Sequence, residues 1–271
     1  MSESILERET PPAELRLRYG EEASQFGELW RPRGAGPHPC VIYIHGGFWR
    51  VRYDVTHTRH LCVALAAAGV ATWSIEYRRV GEEGGGWPGT FHDVVAAAAH
   101  LFAIAPEYDL DAKRVIVAGH SAGGHLAMWL AGLAQVPATS PIHAGTLPLR
   151  AAVSLAGVLD LERAWDLNLG AGAVEELLGG SPDEVPARYA SASPQRLLPL
   201  GVPQLIVHGV ADVPVPFEIA EAYHAAACAA GDDATLLPLE FAGHFEVIDP
   251  LSLEWPEIQA ALVELVRGEA I

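Results

Sequence analysis

The sequence predicts an α/β fold: a mostly parallel sheet with helices on both faces. Three observations carry that prediction. Short, apolar, partly β-branched runs alternate with Ala-rich, helix-like segments along most of the chain, as in strands buried on both faces and joined by crossover helices. Hydrophobic residues make up 50% of the 271 residues, enough for a large core. One β-branched run also passes straight into a helix-forming stretch through the small-residue turn "AGHSAGG".

Taken in order, "ELRLRYG" and "FGELWRPRG" alternate polar with apolar residues and are expected as an antiparallel hairpin at one edge. Six apolar runs then follow as strands: residues 40–44, 70–77, 114–119, 151–157, 203–209 and 234–240. Together they predict an eight-stranded sheet. Helix-like segments fall at 57–68, 91–104, 122–134, 217–230 and 255–267. About 45 residues separate "AAVSLAG" from "PQLIVHG", far beyond the usual connection of roughly 2–6 residues. That interval predicts a small cap-like insertion at about 158–200 within a single domain spanning 1–271.

Charge and composition narrow the function. The formal charge is −17, which repels a phosphate backbone, so nucleic acid is not an expected partner. No uninterrupted apolar run reaches the roughly 18 residues of a membrane helix, and the charged first twenty residues lack a signal-peptide core. A cytoplasmic protein without a membrane partner is expected. Cys40, Cys62 and Cys228 are isolated in apolar contexts and read as buried thiols. No Cys/His spacing points to a metal.

The chemistry concentrates in "RVIVAGHSAGGHLAMWLAGLA". Gly119-His120-Ser121-Ala122-Gly123 is a G-x-S-x-G motif between a strand and a helix, the context that gives it meaning. Ser121 is expected in a strained, positive-φ turn that lifts its hydroxyl clear of the sheet. The following helix N-terminus offers free N–H groups to developing negative charge. A serine needs a base held by a third group. His244 follows the last strand in "FAGHFEVID", and Asp212 follows the preceding one in "VHGVADVPVP". Asp160, after the strand before that, stays open as a rival acid. His208 reads as structural, His120 and His125 as packing residues beside the elbow, and His57 and His60 as surface or capping residues.

On "HGGFWR", "EYRRVGEEGGGWPGTFHD", "AGHSAGGHLA", "VHGVADVPVP" and "AGHFEVIDP", the chain resembles the α/β-hydrolase superfamily over most of its length. Within it, HGG followed by two aromatics looks most like kynurenine formamidases (arylformamidases) and their bacterial carboxylesterase relatives. Phe48 stands where hormone-sensitive-lipase-type esterases carry a fourth residue Gly. The resemblance implies Ser121 as nucleophile, His244 as general base and acid, and Asp212 as its orienter. It implies an oxyanion hole from the N–H groups of Ala122 and of Gly47 or Phe48, with Tyr77, Arg78 and Asp93 bracing the glycine loop and His45 shaping it. No cofactor or metal is implied.

Trp49, Trp87, Trp165 and Phe245 lie on segments near the expected carboxyl end of the sheet and are expected to bind substrate. The expected partner is a small-molecule ester or amide, with a homodimer left open. Serine hydrolysis of small carboxylic esters comes first, kynurenine formamidase or aryl-amide hydrolysis second, and a non-catalytic binding protein on the same scaffold third.

Overall fold

The computed structural model of the protein describes residues 5–268; the first four and last three residues of the expected domain lie outside the described residues. Eight strands form one sheet: β1 Leu15–Arg18, β2 Phe26–Trp30, β3 His38–Ile44, β4 Ala71–Ile75, β5 Leu110–His120, β6 Ala152–Leu155, β7 Gln204–Gly209 and β8 Ala234–Leu239. Their spatial order is β1-β2-β4-β3-β5-β6-β7-β8. β1 pairs antiparallel with β2 and β2 with β4, while every later pair is parallel. The expected antiparallel edge is therefore present, and the β3–β8 portion is a doubly covered parallel sheet.

Strand alternation splits the core in two. Val41 and Tyr43 of β3, with Ile116 and Ala118 of β5, face one cluster; Ile42, Ile44, Val115 and Val117 face the other. Both faces of these strands are apolar because both are covered by helices. Each fully buried Val, Ile or Leu contributes roughly 1.5–3 kcal/mol by leaving water.

The helices are α1 Arg59–Ala67, α2 Gly89–Ile104, α3 Ala122–Ala131, α4 Leu161–Asp166, α5 Ala173–Leu178, α6 Pro186–Ala192, α7 Glu218–Ala229 and α8 Trp255–Arg267. On α8 the buried residues Trp255, Ile258, Ala261, Leu262 and Leu265 recur at helical spacing and leave the opposite face to solvent. By contrast, α3 is buried from Ala122 through Leu130, which suits its small and apolar composition. Among the described residues, no helix is long and apolar enough to cross a membrane.

The interval 158–200 holds α4, α5 and α6. It is tied to the scaffold by polar contacts: the Arg50 guanidinium donates to the carbonyls of Gly170 at 2.6 Å and Ala171 at 3.1 Å, and Trp129 Nε1–H donates to Ser191 O at 3.1 Å. Burial pushes the thiols of Cys40 and Cys62 up to about 12. Cys228 departs from expectation and is exposed. The buried face of α7 runs through Ile219, Ala220, Tyr223 and Ala227, and the next residue turns off it.

Candidate active site

β5 ends at His120 and α3 begins at Ala122, so Ser121 alone makes the turn, at φ 56° and ψ −119°. A non-glycine residue at such a φ is strained. The turn is held by the Ser121 N–H, which donates to Leu155 O at 2.9 Å. The neighbouring glycine answers a steric demand: a Cβ on Gly123 would lie 2.0 Å from the Ile44 carbonyl oxygen. Only glycine lets α3 pack against the end of β3. Ala122, first in its helix, has no intrahelical acceptor for its N–H.

The glycine loop leaves β3 beside this turn. Gly47 has φ 114° and Phe48 and Trp49 have φ 51° and 58°, three left-handed residues in succession. Any Cβ at Gly47 would meet the Tyr53 Cβ at 2.4 Å. Among the described residues, no hydrogen bond engages the N–H of Gly47, Phe48 or Ala122. Buried side chains hold the loop from behind. His45 Nδ1 bonds the Gly46 carbonyl at 2.8 Å and Nε2 bonds Glu76 Oε1 at 2.8 Å. Tyr77 stacks on the His45 ring at 4.5 Å and donates its hydroxyl to His45 O at 3.0 Å.

Arg78 and Asp93 form a two-pronged ion pair at 2.8 Å on each arm. They fix the chain just after Tyr77 and do not touch the glycine loop itself. Glu76 is the hub that the sequence reading passed over. Besides His45 it accepts the N–H of Val55 and of Tyr77, each at 3.0 Å. A carboxylate at the end of a buried strand must find such partners, and that signal was available.

Across the cavity, Asp212 and His244 come from the loops after β7 and β8. His244 Nδ1–H donates to Asp212 Oδ2 at 2.7 Å, which leaves Nε2 as a base. Val215 N–H donates to Asp212 Oδ1 at 2.8 Å, and His208 Nε2 bonds both Val215 O at 2.8 Å and Asp212 Oδ2 at 3.4 Å. Burial raises the Asp212 carboxyl, but the hydrogen bonds from His208 and His244 outweigh it and hold it down at about 2. His120 Nε2–H donates to the His244 carbonyl at 2.9 Å. Burial, reinforced by His244, keeps the His120 ring well below the usual imidazole range. Asp160, the rival acid, instead caps α4 by accepting from the N–H groups of Glu162 and Arg163.

Ser121 and His244 line one cavity of about 230 Å³. Gly47, Phe48 and Phe245 join them, as do Tyr53, His57 and His120. His57 is thus no surface residue: it is 8% exposed, and burial with the nearby His45 lowers its ring to about 4. Of the four aromatics expected at the substrate, the structure brings only Phe245 here. Trp49 is fully buried, and its Nε1–H donates to His125 Nδ1 at 3.1 Å. Trp87 packs edge-on against Phe91 at 5.5 Å and lines a separate groove with Arg188. Trp165 reaches Glu175 with its indole N–H at 3.4 Å. A buried indole seeks a partner for its N–H, and Trp49 finds it in the core beneath the serine turn, on His125 of α3.

The sequence profile of the BD-FAE family matches residues 29–226. The chain belongs to this α/β-hydrolase family. Among curated proteins, esterase LipC of Mycobacterium tuberculosis is 29% identical over 86% of this chain. The probable carboxylic ester hydrolase LipM of the same organism is 28% identical over 76% of it. The chain spans 60% of the length of the first relative and 50% of the second. Among solved structures, a truncated carbohydrate esterase from gut microbiota superposes with a TM-score of 0.82 at 22% identity, covering 95% of this chain and 97% of that one. A propionate-bound esterase of Thermogutta terrifontis gives a TM-score of 0.75 at 23% identity, covering 94% of each. Both share the fold of this BD-FAE protein, and at these identities the likeness is one of fold alone.

Proposed function

We propose that the chain is a serine carboxylesterase that cleaves small esters through an acyl-enzyme. The observation that carries this reading is the shared cavity, which a strained Ser121 and an Asp212-bound His244 line together with Gly47 and Phe48, whose N–H groups make no hydrogen bond among the described residues. Ser121 Oγ attacks the ester carbonyl carbon while His244 Nε2 takes the hydroxyl proton. The carbonyl oxygen, now negative, accepts from Ala122 N–H and from Gly47 or Phe48 N–H. Such donors are each worth roughly 3–4 kcal/mol of barrier. His244 then protonates the departing alcohol, and a water deprotonated by His244 releases the acid.

The cavity of about 230 Å³ lies below the roughly 300–1,000 Å³ of drug-sized pockets, which favours short esters. The mycobacterial relatives, described as esterases, support the bond type. A second reading, hydrolysis of an aryl formamide, draws on Phe48 and Phe245 facing the cavity together. Turnover of p-nitrophenyl acetate against N-formylkynurenine decides between them, and a strong preference for the formamide reverses the order. Ser121→Ala is expected to lose at least about 10⁴-fold in kcat with its melting temperature retained. Near-wild-type hydrolysis by that variant refutes the mechanism.

A further inference from the structure

One wall of the Ser121 cavity comes from far outside the loops that carry the triad residues. Leu6 lines it, 40% exposed at the mouth, and lies outside the residues matched by the family profile. The segment around it is pinned at several points. Ile5 is 2% exposed and belongs to the core cluster that includes Leu61, Val247 and Ile248. Arg8 Nη2 pairs with Asp249 Oδ1 at 2.5 Å, both side chains being mostly buried. Further along, Arg59 donates to Pro11 O at 3.4 Å, and the Arg31 guanidinium reaches Glu14 at 3.2 Å. Residues 5–14 therefore form a strap, and the Arg8–Asp249 pair ties it to the same loop that carries His244.

We propose that Leu6 is a specificity-determining residue, and that the strap, held by Arg8, sets how large a substituent fits beside Ser121. This rests on the ester-hydrolase reading of the cavity. Leu6 lies between two anchored residues, Ile5 before it and Arg8 two places after it, so the backbone that carries its isobutyl group is held at the edge of the cavity. Shortening it opens apolar room at the mouth, and a bulkier ring closes it. In an apolar pocket a single methylene changes selectivity by about tenfold or more, and Leu6→Ala removes three carbons.

The test compares wild type, Leu6→Ala, Leu6→Trp and Arg8→Ala on two series: p-nitrophenyl esters from acetate to octanoate, and acetates of alcohols from ethanol to benzyl alcohol. In one of the series the long-to-short ratio of kcat/KM is expected to rise about tenfold in Leu6→Ala and to fall about tenfold in Leu6→Trp. Arg8→Ala, which changes no residue of the cavity lining, is expected to follow Leu6→Ala through KM; a merely structural role lowers the melting temperature and leaves the ratio alone. Ratios within threefold of wild type in both Leu6 variants overturn the proposal.

Labelling rates of Ser121 with methyl and long-alkyl fluorophosphonates read the same depth without turnover. If no ester is hydrolysed but the labelling ratio shifts, the strap stands and the ester reading falls. If esters turn over and neither ratio moves, the strap alone falls. A protein inert to both reagents overturns both.

Discussion

The two halves of the site are built by different means. The half made of the glycine loop and the serine turn is a matter of backbone. Gly47, Phe48, Trp49 and Ser121 all take left-handed dihedrals, and the groups they present are N–H donors and one hydroxyl. The half made of the β7 and β8 loops has no positive-φ residue among the described residues, Gly231 before β8 and Gly268 after α8 being the next ones along the chain. Its geometry is set by contacts converging on the Asp212 carboxylate, from the His244 and His208 rings and from the Val215 backbone N–H. Steric change is therefore expected to damage the first half, and change of charge or proton position the second.

Asp212→Asn tests the second half most severely. It keeps the shape but places an amide where a carboxylate accepted two imidazole N–H groups. His244 then loses the partner that fixes its tautomer, and kcat is expected to fall about 10⁴-fold with little change in KM. A loss under tenfold would mean that the side-chain network is dispensable, and the comparison would break there.

Gly47→Val is the matching test of the first half. Valine at φ 114° is strained whatever the space, and its Cβ would collide with Tyr53. The donor row shifts, and kcat is expected to fall about 10²–10³-fold, the usual effect of losing one oxyanion donor. The melting temperature should change by only a few degrees, because the loop lies at the surface end of the sheet. Wild-type kcat in this variant would show that the N–H groups of the loop are not the oxyanion donors.

What could be read in the sequence follows the same division. The strands, the hairpin edge and the serine turn announce themselves through local pattern, since apolar runs and flanking glycines act within a few residues of themselves. The pairing of Asp212 with His244 was legible from chain order, because successive parallel strands bring their loops to one end of the sheet. Ring directions were not legible. Phe48 and Trp49 are adjacent, yet the left-handed dihedrals send one to the cavity and the other into the core. Leu6 and His57 reach the cavity through tertiary packing, and no spacing rule connects them to Ser121. Glu76 was legible in principle, as a charge closing an apolar strand.

Acid offers a subtler way to sharpen the comparison, because the backbone half also depends on a proton. Trp49 Nε1–H donates to His125 Nδ1, and His125 Nε2–H donates to Ala192 O at 3.0 Å. This chain links the glycine loop, α3 and the 158–200 segment, and it requires a neutral imidazole with Nδ1 unprotonated. Burial lowers the His125 ring from 6.5 to about 4. A folded-state value below the unfolded one means that the unfolded chain binds the proton first. The stabilisation is thus full above about pH 6.5 and is lost as pH falls towards 4. Across that window His125 accounts for up to about 3 kcal/mol.

His57 titrates in the same range, so the discriminating measurement is a difference. Urea unfolding from pH 7 to pH 4 is expected to show a shallower loss of stability in His125→Asn than in wild type, although the variant starts lower at pH 7. Parallel curves would mean that His125 does not carry the proton dependence. The bond from Trp49 to His125 would then not couple the glycine loop to acid, and the backbone bonds from Arg50 to Gly47 O and from Val80 to Trp49 O, with Glu76, His45 and Tyr77, would hold the loop without it.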